Sequence, residues 1–418
     1  MQTNTTEALR ILNALRSGVV PDADIDLFRI GREKELKEIE RCLDFAAEGN
    51  GFVKFVSGEY GSGKSFLLNA AKQLAARKKF AVSGIQLSKG FYLNNPEHFY
   101  YHIMHNLSTG YSGFYSASFE SIFDIWLDKL KKYDSKDAAA AEINNAISAM
   151  GKYNSSFARA FLTFIKARIS SDAELSNAAA SWIKGEKNIP AALKAKFDVK
   201  GDVDRQNSMD FLKAFIKLLT LSGCSGLLIL ADELELAANA RSDIRRGCYE
   251  NLRYIIDGCG SNDFSNCMFL FAGTCEVFED EERGIKTYQA LYQRLGGSVE
   301  NAGYFPGSGR GVIMKLEKLS LDDLQSLTDK IIHLHGHAYG WKPKISSEAV
   351  RNWTLLTLGN PRGSVSLPNT RKFIVKLVEI LDIMEQNPGC SIFGSELKIV
   401  TRNGVSTFVN TLQKVEAE

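Results

Sequence analysis

The chain has 418 residues, 44% hydrophobic and 24% charged, with a formal net charge of +2. That length exceeds one hydrophobic core, so two or three domains are expected, and the balanced charge excludes a general basic field, leaving any DNA surface to a local patch. Seven scattered cysteines without a C-x-x-C pair exclude a disulfide framework or zinc ribbon, and neither a bilayer-length apolar stretch nor a signal peptide is evident, so a cytoplasmic protein without a membrane partner is expected.

Residues 6–17 read as an amphipathic helix with Ala8, Leu9, Ile11, Leu12 and Leu15 apolar and Gly18 at its end. The segment Leu27-Phe28-Arg29-Ile30-Gly31-Arg32-Glu33 follows, then a helix over 34–47. Phe52–Val56 is a buried strand, and Phe80–Leu87 a second. From about 90 to 205 the pattern is helical and rich in Ala, Lys, Phe and Tyr, with no strand of convincing length. Within it Ser135 or Asp137 caps a helix, and 184–202 reads as a loop. Gly226–Ala231 and Met268–Ala272 are continuous apolar runs of the kind buried parallel strands show, and Gly311–Leu316 is a weaker fifth. Beyond about 318 the periodicity is helical, starting at the capped Ser320-Leu321-Asp322-Asp323-Leu324, with two further helices after it. Strands alternating with helices predict an α/β fold with a parallel sheet.

Between the first strand and the helix starting at Phe66 lies Gly58-Glu59-Tyr60-Gly61-Ser62-Gly63-Lys64-Ser65, a complete phosphate-binding loop in strand–turn–helix context. Glycines let its N–H groups turn inward toward phosphate oxygens, and the helix N-terminus adds partial positive charge. Lys64 reaches the β- and γ-phosphates and Ser65 binds Mg2+, so ATP with Mg2+ is expected, with Phe66 counted among the nucleotide-binding residues. The run 227–231 ends in Asp232-Glu233. Asp232 would hold the metal through water and Glu233 would take a proton from the attacking water, with Glu235 as a second carboxylate. Thr274 either senses the γ-phosphate or caps the next turn. Arg294 reaches a neighbouring subunit's γ-phosphate or makes a surface ion pair, with Arg283 as its rival. Arg362, in Gly359-Asn360-Pro361-Arg362, folds over the nucleotide or caps a turn.

Other features read as structural. His98, His102 and His105, and His333 and His337, share helical faces without an obvious acidic or cysteine partner for a metal. Phe99, Tyr100, Tyr101, Phe157, Phe161 and Phe164 read as core. Lys129, Lys131 and Lys132, and Arg77, Lys78 and Lys79, read as solvated faces. Arg245 and Arg246 approach DNA or a neighbour's nucleotide, or pair with Glu250 or Asp257.

Together these pieces resemble the AAA+ ATPases, in particular the initiator and STAND-like branches, where an Ile-Gly-Arg-Glu segment precedes the phosphate loop and cradles adenine. The resemblance puts Ile30 and Arg32 beside the base. More narrowly the chain is similar to the BrxD-like ATP-binding proteins of bacterial BREX phage-defence loci. That likeness runs through Ala8–Leu12, Leu15–Gly18, Gly58–Leu68, Asp232–Glu235, Gly273–Phe278, Glu282–Gly284 and Tyr288–Leu295. It implies N-terminal helices and an adenine-side segment over 1–50, and an AAA+-like P-loop core over 51–317 with a long helical insertion. A C-terminal helical lid over 318–390 and an extension over 391–418 follow. It also implies a homo-oligomer acting on DNA with a helicase or other defence-system proteins. The threonine-proline of that family is here Thr274-Cys275, and Gly359–Arg362 fits either a lid arginine or the proline-centred sensor of STAND switches. A DNA-associated ATPase, a slowly hydrolysing nucleotide switch acting through protein partners, and a small-molecule kinase all use such a loop. Glu233, which activates water, disfavours the kinase.

Overall fold

The computed structural model describes residues 4–21, 28–109, 119–199, 201–296, 310–343, 345–358, 369–387, 397–402 and 405–410. The Asn4 side chain accepts from the Glu7 amide at 2.8 Å and so caps α1 (Thr5–Arg16), whose buried face is Ala8, Ile11, Leu12 and Leu15. Gly18, at φ +68°, ends it. Next come α2 (Glu33–Ala47), β1 (Gly51–Ser57), α3 (Lys64–Arg77) and β2 (Phe80–Gln86). The insertion holds α4 (Pro96–His105), β3 (Leu107–Thr109), α5 (Phe119–Leu130), α6 (Lys136–Gly151), α7 (Ser155–Ile169), α8 (Ala173–Ile183) and α9 (Ala191–Lys196). After it come α10 (Ser208–Leu221), β4 (Gly226–Asp232), α11 (Glu235–Ala238), α12 (Ser242–Gly260) and β5 (Cys267–Gly273). Then follow α13 (Cys275–Glu279), α14 (Gln289–Arg294) and β6 (Ile313–Lys315). The C-terminal part has α15 (Leu321–Tyr339), α16 (Ser347–Leu358), α17 (Thr370–Gln386) and the antiparallel pair β7 (Leu397–Arg402) and β8 (Val405–Asn410).

The principal sheet has the order β3-β2-β4-β5-β1-β6. Five strands are parallel, as the alternating pattern predicts, and β4 and β5 are buried nearly throughout. Two expectations need correction. The insertion contains the three-residue strand β3, which pairs antiparallel with β2, too short to leave a period-2 signature. The expected loop at 184–202 contains α9, begun by Pro190, whose fixed φ suits a helix start. Between the two caps considered for α6, Ser135 is the one, accepting from the Ala138 amide at 3.1 Å, with Asp137 in the first turn.

By its contacts the chain divides into two compact units. One comprises 1–34, 58–70 and 316–418; the other comprises 35–57 and 71–315. In the second unit the aromatics of the insertion join the core of the sheet. Phe99, Tyr100, Phe157, Phe161 and Phe164 are buried, and the Phe123 and Phe164 rings lie 4.4 Å apart. His102 stacks on Phe91 and His105 on Tyr101, both ordinary packing roles. In the first unit α1, α15 and α17 enclose Ile11, Leu12, Leu327, Ile331, Leu377 and Leu381. Ser320 and Asp323 form a full capping box at the start of α15. Buried His335 sits between Trp341 and Asp382. The indole N–H can only donate, at 2.9 Å to Nδ1, so Nε2 carries the proton and donates to Asp382 at 3.0 Å. Arg16 is bidentate on that carboxylate, with a 2.8 Å bond to Oδ2 and another of 2.8 Å to Oδ1, the oxygen that His335 also meets.

Lys54 in the middle of β1 is fully buried, and its ammonium lies 2.7 Å from Glu38 Oε1 on α2. Arg41 is bidentate on the same carboxylate, and these bonds, Arg41 first and then Lys54, hold its pKa down to about 2 against the opposing effect of burial. Lys54→Ala should cost about 3–5 kcal/mol in urea unfolding, the scale of breaking a buried pair, whereas Glu38→Leu with Lys54→Met should cost far less. Because the folded pKa of Glu38 is depressed, its contribution is complete above its unfolded value near 4.5 and drains away as pH falls toward about 2. Stability that is flat across that acid window in wild type would contradict the pairing.

Candidate nucleotide-binding site

The glycine loop follows β1 without an intervening residue, because Ser57 ends the strand and Gly58 opens the loop. Gly61 and Gly63 take φ of +77° and +98°, the left-handed region where a side chain is strained. Leu67 N–H donates to Gly63 O at 2.9 Å, so α3 starts inside the motif and presents its N-terminus to the loop. Lys64 is buried, and its ammonium donates to Gly58 O at 2.9 Å and Glu59 O at 3.2 Å. Among the described residues no carboxylate pairs with it. Ser62 Oγ is buried and has no hydrogen-bond partner among the described residues.

Side chains distant in sequence grip this loop. Arg32, only 4% exposed, donates from Nη2 to Ser62 O at 2.9 Å and to Glu317 O at 2.7 Å. Its guanidinium therefore braces the loop backbone. Gly31 precedes it at φ +66°, where a Cβ would crowd Asp323 and Leu319. Lys318 pairs with Glu59 at 3.0 Å. Asn369 donates to Tyr60 O at 2.7 Å, and Arg371 lies over the Tyr60 ring, 5.4 Å from its centroid. Ile30 and Phe66, expected beside the nucleotide, are partly buried against the α1, α15 and α17 core. Sequence reasoning missed Asn369, Arg371 and Lys318. The only available signal was a lone asparagine before an apolar-periodic run, which marks a helix cap and nothing more.

The acidic pair stands at the carboxyl edge of the sheet. Register aligns Ser57 of β1 with Gly273 of β5, and Ala231 of β4 with Phe271 of β5. The ends of these three strands therefore emerge side by side, with β5 in the middle. Asp232 Oδ1 accepts the Glu233 N–H at 2.9 Å, and Glu233 adopts φ +66°. A non-glycine residue there stores about 1–2 kcal/mol of backbone strain. Leu234 N–H then donates to Ala272 O at 3.0 Å, fastening the turn to β5. Glu235 is the N-terminal residue of α11, and its Oε2 accepts the Thr274 N–H at 3.2 Å. Thr274 occupies the cap position of α13 without a side-chain cap bond, and its Oγ1 is buried with no partner among the described residues. Ser57 Oγ donates to Cys275 Sγ at 3.6 Å, so the residue after Thr274 contacts the end of β1.

The remaining arginines divide. Arg294 pairs with Asp257 and donates to Ala290 O at 2.7 Å. Arg283 is exposed, on a turn in which Asp280 Oδ1 accepts the Arg283 N–H at 2.8 Å and the Tyr249 hydroxyl donates to Arg283 O at 2.6 Å. Arg245 donates to Ala240 O at 3.0 Å, and Arg246 pairs with Glu250 at 3.0 Å. Arg362 lies outside the described residues. Among the described residues no helix is long and apolar enough to cross a membrane.

These features define an α/β protein with a mostly parallel sheet, many helices and a phosphate-loop sequence at the carboxyl end of an inner strand. The chain belongs to the family described as BREX system ATP-binding protein BrxC/D, whose model matches residues 4–395. The resemblance to BrxD-like proteins is thereby borne out, and the chain is an ATP-binding protein of a BREX system. No curated protein matches it.

Arg32 offers a direct check on the brace. Arg32→Ala should destabilise the protein by about 2–3 kcal/mol, since two carbonyls lose a charged donor, and should weaken ATP binding. Arg32→Lys should recover part of the loss, because both bonds come from one nitrogen and an ammonium also carries donors for two carbonyls. Wild-type melting and ATP affinity in Arg32→Ala would contradict the brace.

Proposed function

We propose that the chain is an AAA+-like, Mg2+-dependent ATPase that works in its defence system as a homo-oligomer on DNA, with a helicase or other partner proteins. The observation that carries the nucleotide part is Lys64, a buried ammonium met only by loop carbonyls among the described residues. Buried cations need an anion, and a phosphate chain on the loop supplies one. Gly58, Glu59, Tyr60, Gly61, Ser62 and Gly63 form the loop whose backbone N–H groups would face it, that of Ser62 being held by Glu59 O at 3.1 Å in this structure. Ser65 and Asp232 carry hard oxygen donors suited to Mg2+, which would neutralise phosphate charge.

In hydrolysis, water attacks the γ-phosphorus, the bond to the β–γ bridging oxygen breaks, and ADP leaves with inorganic phosphate. Glu233 takes the water's proton. Glu235, whose Oε2 accepts the Thr274 amide, is the second carboxylate. Thr274, with its buried unbonded hydroxyl just past the end of β5, the strand between β1 and β4, suits a water- or phosphate-sensing role. The ion pair of Arg294 with Asp257 moves the first place for a contact in trans to Arg283 on its ordered turn. Arg362 keeps its sequence-based role over the nucleotide.

A second reading, a slow nucleotide switch signalling through protein partners, gains from the basic side chains nominated for DNA. Arg245 caps carbonyls and Arg246 pairs with Glu250. ATPase rates with and without DNA across a salt series, with mass measured in ATP and ADP, separate the readings. DNA-stimulated, salt-sensitive turnover by an oligomer supports the motor. A DNA-indifferent slow rate supports the switch.

Three substitutions test the chemistry. Lys64→Ala should abolish tight ATP binding, and unchanged affinity in a folded variant would sink the assignment. Glu233→Gln should retain ATP and lower turnover by roughly 100-fold or more. Glu233→Gly should lower turnover equally while leaving the fold as stable as wild type or about 1 kcal/mol more so, because glycine accepts the positive φ. Full turnover in both Glu233 variants would transfer the base role to Glu235.

A further inference from the structure

Asn369, the residue before α17, performs two tasks with the two ends of one amide. Its Oδ1 accepts the Arg371 N–H at 3.0 Å and the Lys372 N–H at 3.3 Å, which caps the helix. Its Nδ2 donates to Tyr60 O at 2.7 Å. The orientation of the amide follows from the partners, since helix N–H groups require an acceptor and a carbonyl requires a donor. A Cβ on Gly61 would collide with the Asn369 amide, so the loop and the cap touch at van der Waals distance. Arg371 adds a second attachment, its guanidinium over the Tyr60 ring and Nη1 3.4 Å from the phenol oxygen. The grouping of 58–70 with 316–418 in one compact unit is a separate observation in the same direction.

A trans peptide plane points its C=O and the next N–H in opposite directions. Anchoring Tyr60 O toward α17 therefore fixes the Gly61 N–H on the other side of the loop. Phosphate-binding loops work through the directions of such N–H groups. We propose that Asn369 is a positioning residue for the phosphate loop, which presets the Tyr60–Gly61 peptide for nucleotide and ties the first turn of α17 to the loop's occupancy. The proposal rests on the reading of Gly58–Ser65 as the ATP phosphate loop.

The two tasks separate by substitution. Asn369→Ser and Asn369→Asp both keep a good helix-capping oxygen, and neither carries the N–H that meets Tyr60 O. Asn369→Asp also sets a carboxylate against that carbonyl. Fluorescent mant-ATP and mant-ADP titrations should show affinity weakened about tenfold in Asn369→Ser, the scale of one hydrogen bond, and more in Asn369→Asp. Melting temperature should stay close to wild type. At saturating ATP, kcat should hold while KM rises, because the lost contact serves ground state and transition state alike. A purely structural role would instead lower melting temperature and active fraction with KM unchanged.

Hydrogen exchange gives a second readout. ATP should slow amide exchange in the first turn of α17 in wild type, and this protection should vanish in both variants at saturating ATP. Wild-type KM and wild-type protection of α17 in folded variants would overturn the proposal and leave the ATP site intact. Failure of wild type itself to bind either labelled nucleotide would overturn the phosphate-loop reading, and this proposal with it.

Discussion

Parallel pairing delivers the carboxyl end of every strand to the same edge of a sheet, and in this molecule the alignment of Ser57 with Gly273 fixes where that edge lies for β1 and β5. The glycine loop can start only where β1 stops. The Asp232-Glu233 turn can emerge only one strand further along, beyond β5. Backbone hydrogen bonds hold that register along the full length of β1, and the apolar runs of β4 and β5 bury both faces. The long insertion does not disturb it. Its aromatics, Phe119, Phe123, Trp126, Phe161 and Phe164 among them, belong to the core that covers the sheet. An element added between β2 and β4 thus strengthens the layer on which the edge depends.

Two buried lysines differ in how their charge is met. Lys54 meets Glu38 at 2.7 Å, with Arg41 on the same carboxylate, so its charge is balanced inside the fold. Lys64 meets only carbonyl oxygens among the described residues. Uncompensated buried charge is costly, and a fold retains it where a ligand supplies the counter-charge. The acidic turn carries related costs, in the left-handed backbone of Glu233 and the unbonded hydroxyl of Thr274. Glu235 and Asp232 have hydrogen-bonding duties within the fold, to the Thr274 and Glu233 amides. Strain and an unbonded hydroxyl thus meet at one strand edge, although buried polar atoms without partners also occur elsewhere among the described residues, at Trp126 and Ser208 for example.

Local chemistry was legible in the sequence wherever its cause was local. The phosphate loop, the apolar strands, the Ser320 capping box and the buried face of α1 each arise within a few residues. β7 and β8 were also within reach, because Asn403-Gly404 between two β-branched runs is a strong hairpin signal, and it went unread. What could not be read is what joins distant segments. Arg32 looked like a residue for the nucleotide base, yet its donors go to Ser62 O and Glu317 O. No periodicity announces a side chain that bonds to backbone nearly three hundred positions away. The φ of Glu233 is equally silent, since glutamate has no preference for that region and the turn is imposed by β5 through Leu234 and Ala272.

The grips on the loop have a common chemistry. Arg32 and Asn369 both attach to main-chain carbonyls, of Ser62 and Tyr60, and Lys64 turns onto those of Gly58 and Glu59. Carbonyls so engaged fix the directions of the intervening peptide planes, although the Ser62 N–H is itself taken by Glu59 O at 3.1 Å. Glycine at 61 and 63 makes the curl possible but does not select it, because glycine is equally at home in many other conformations. The side chains that seize the carbonyls do the selecting. The motif therefore specifies what the loop can do, and residues remote from it, Arg32 and Asn369, specify that it does so.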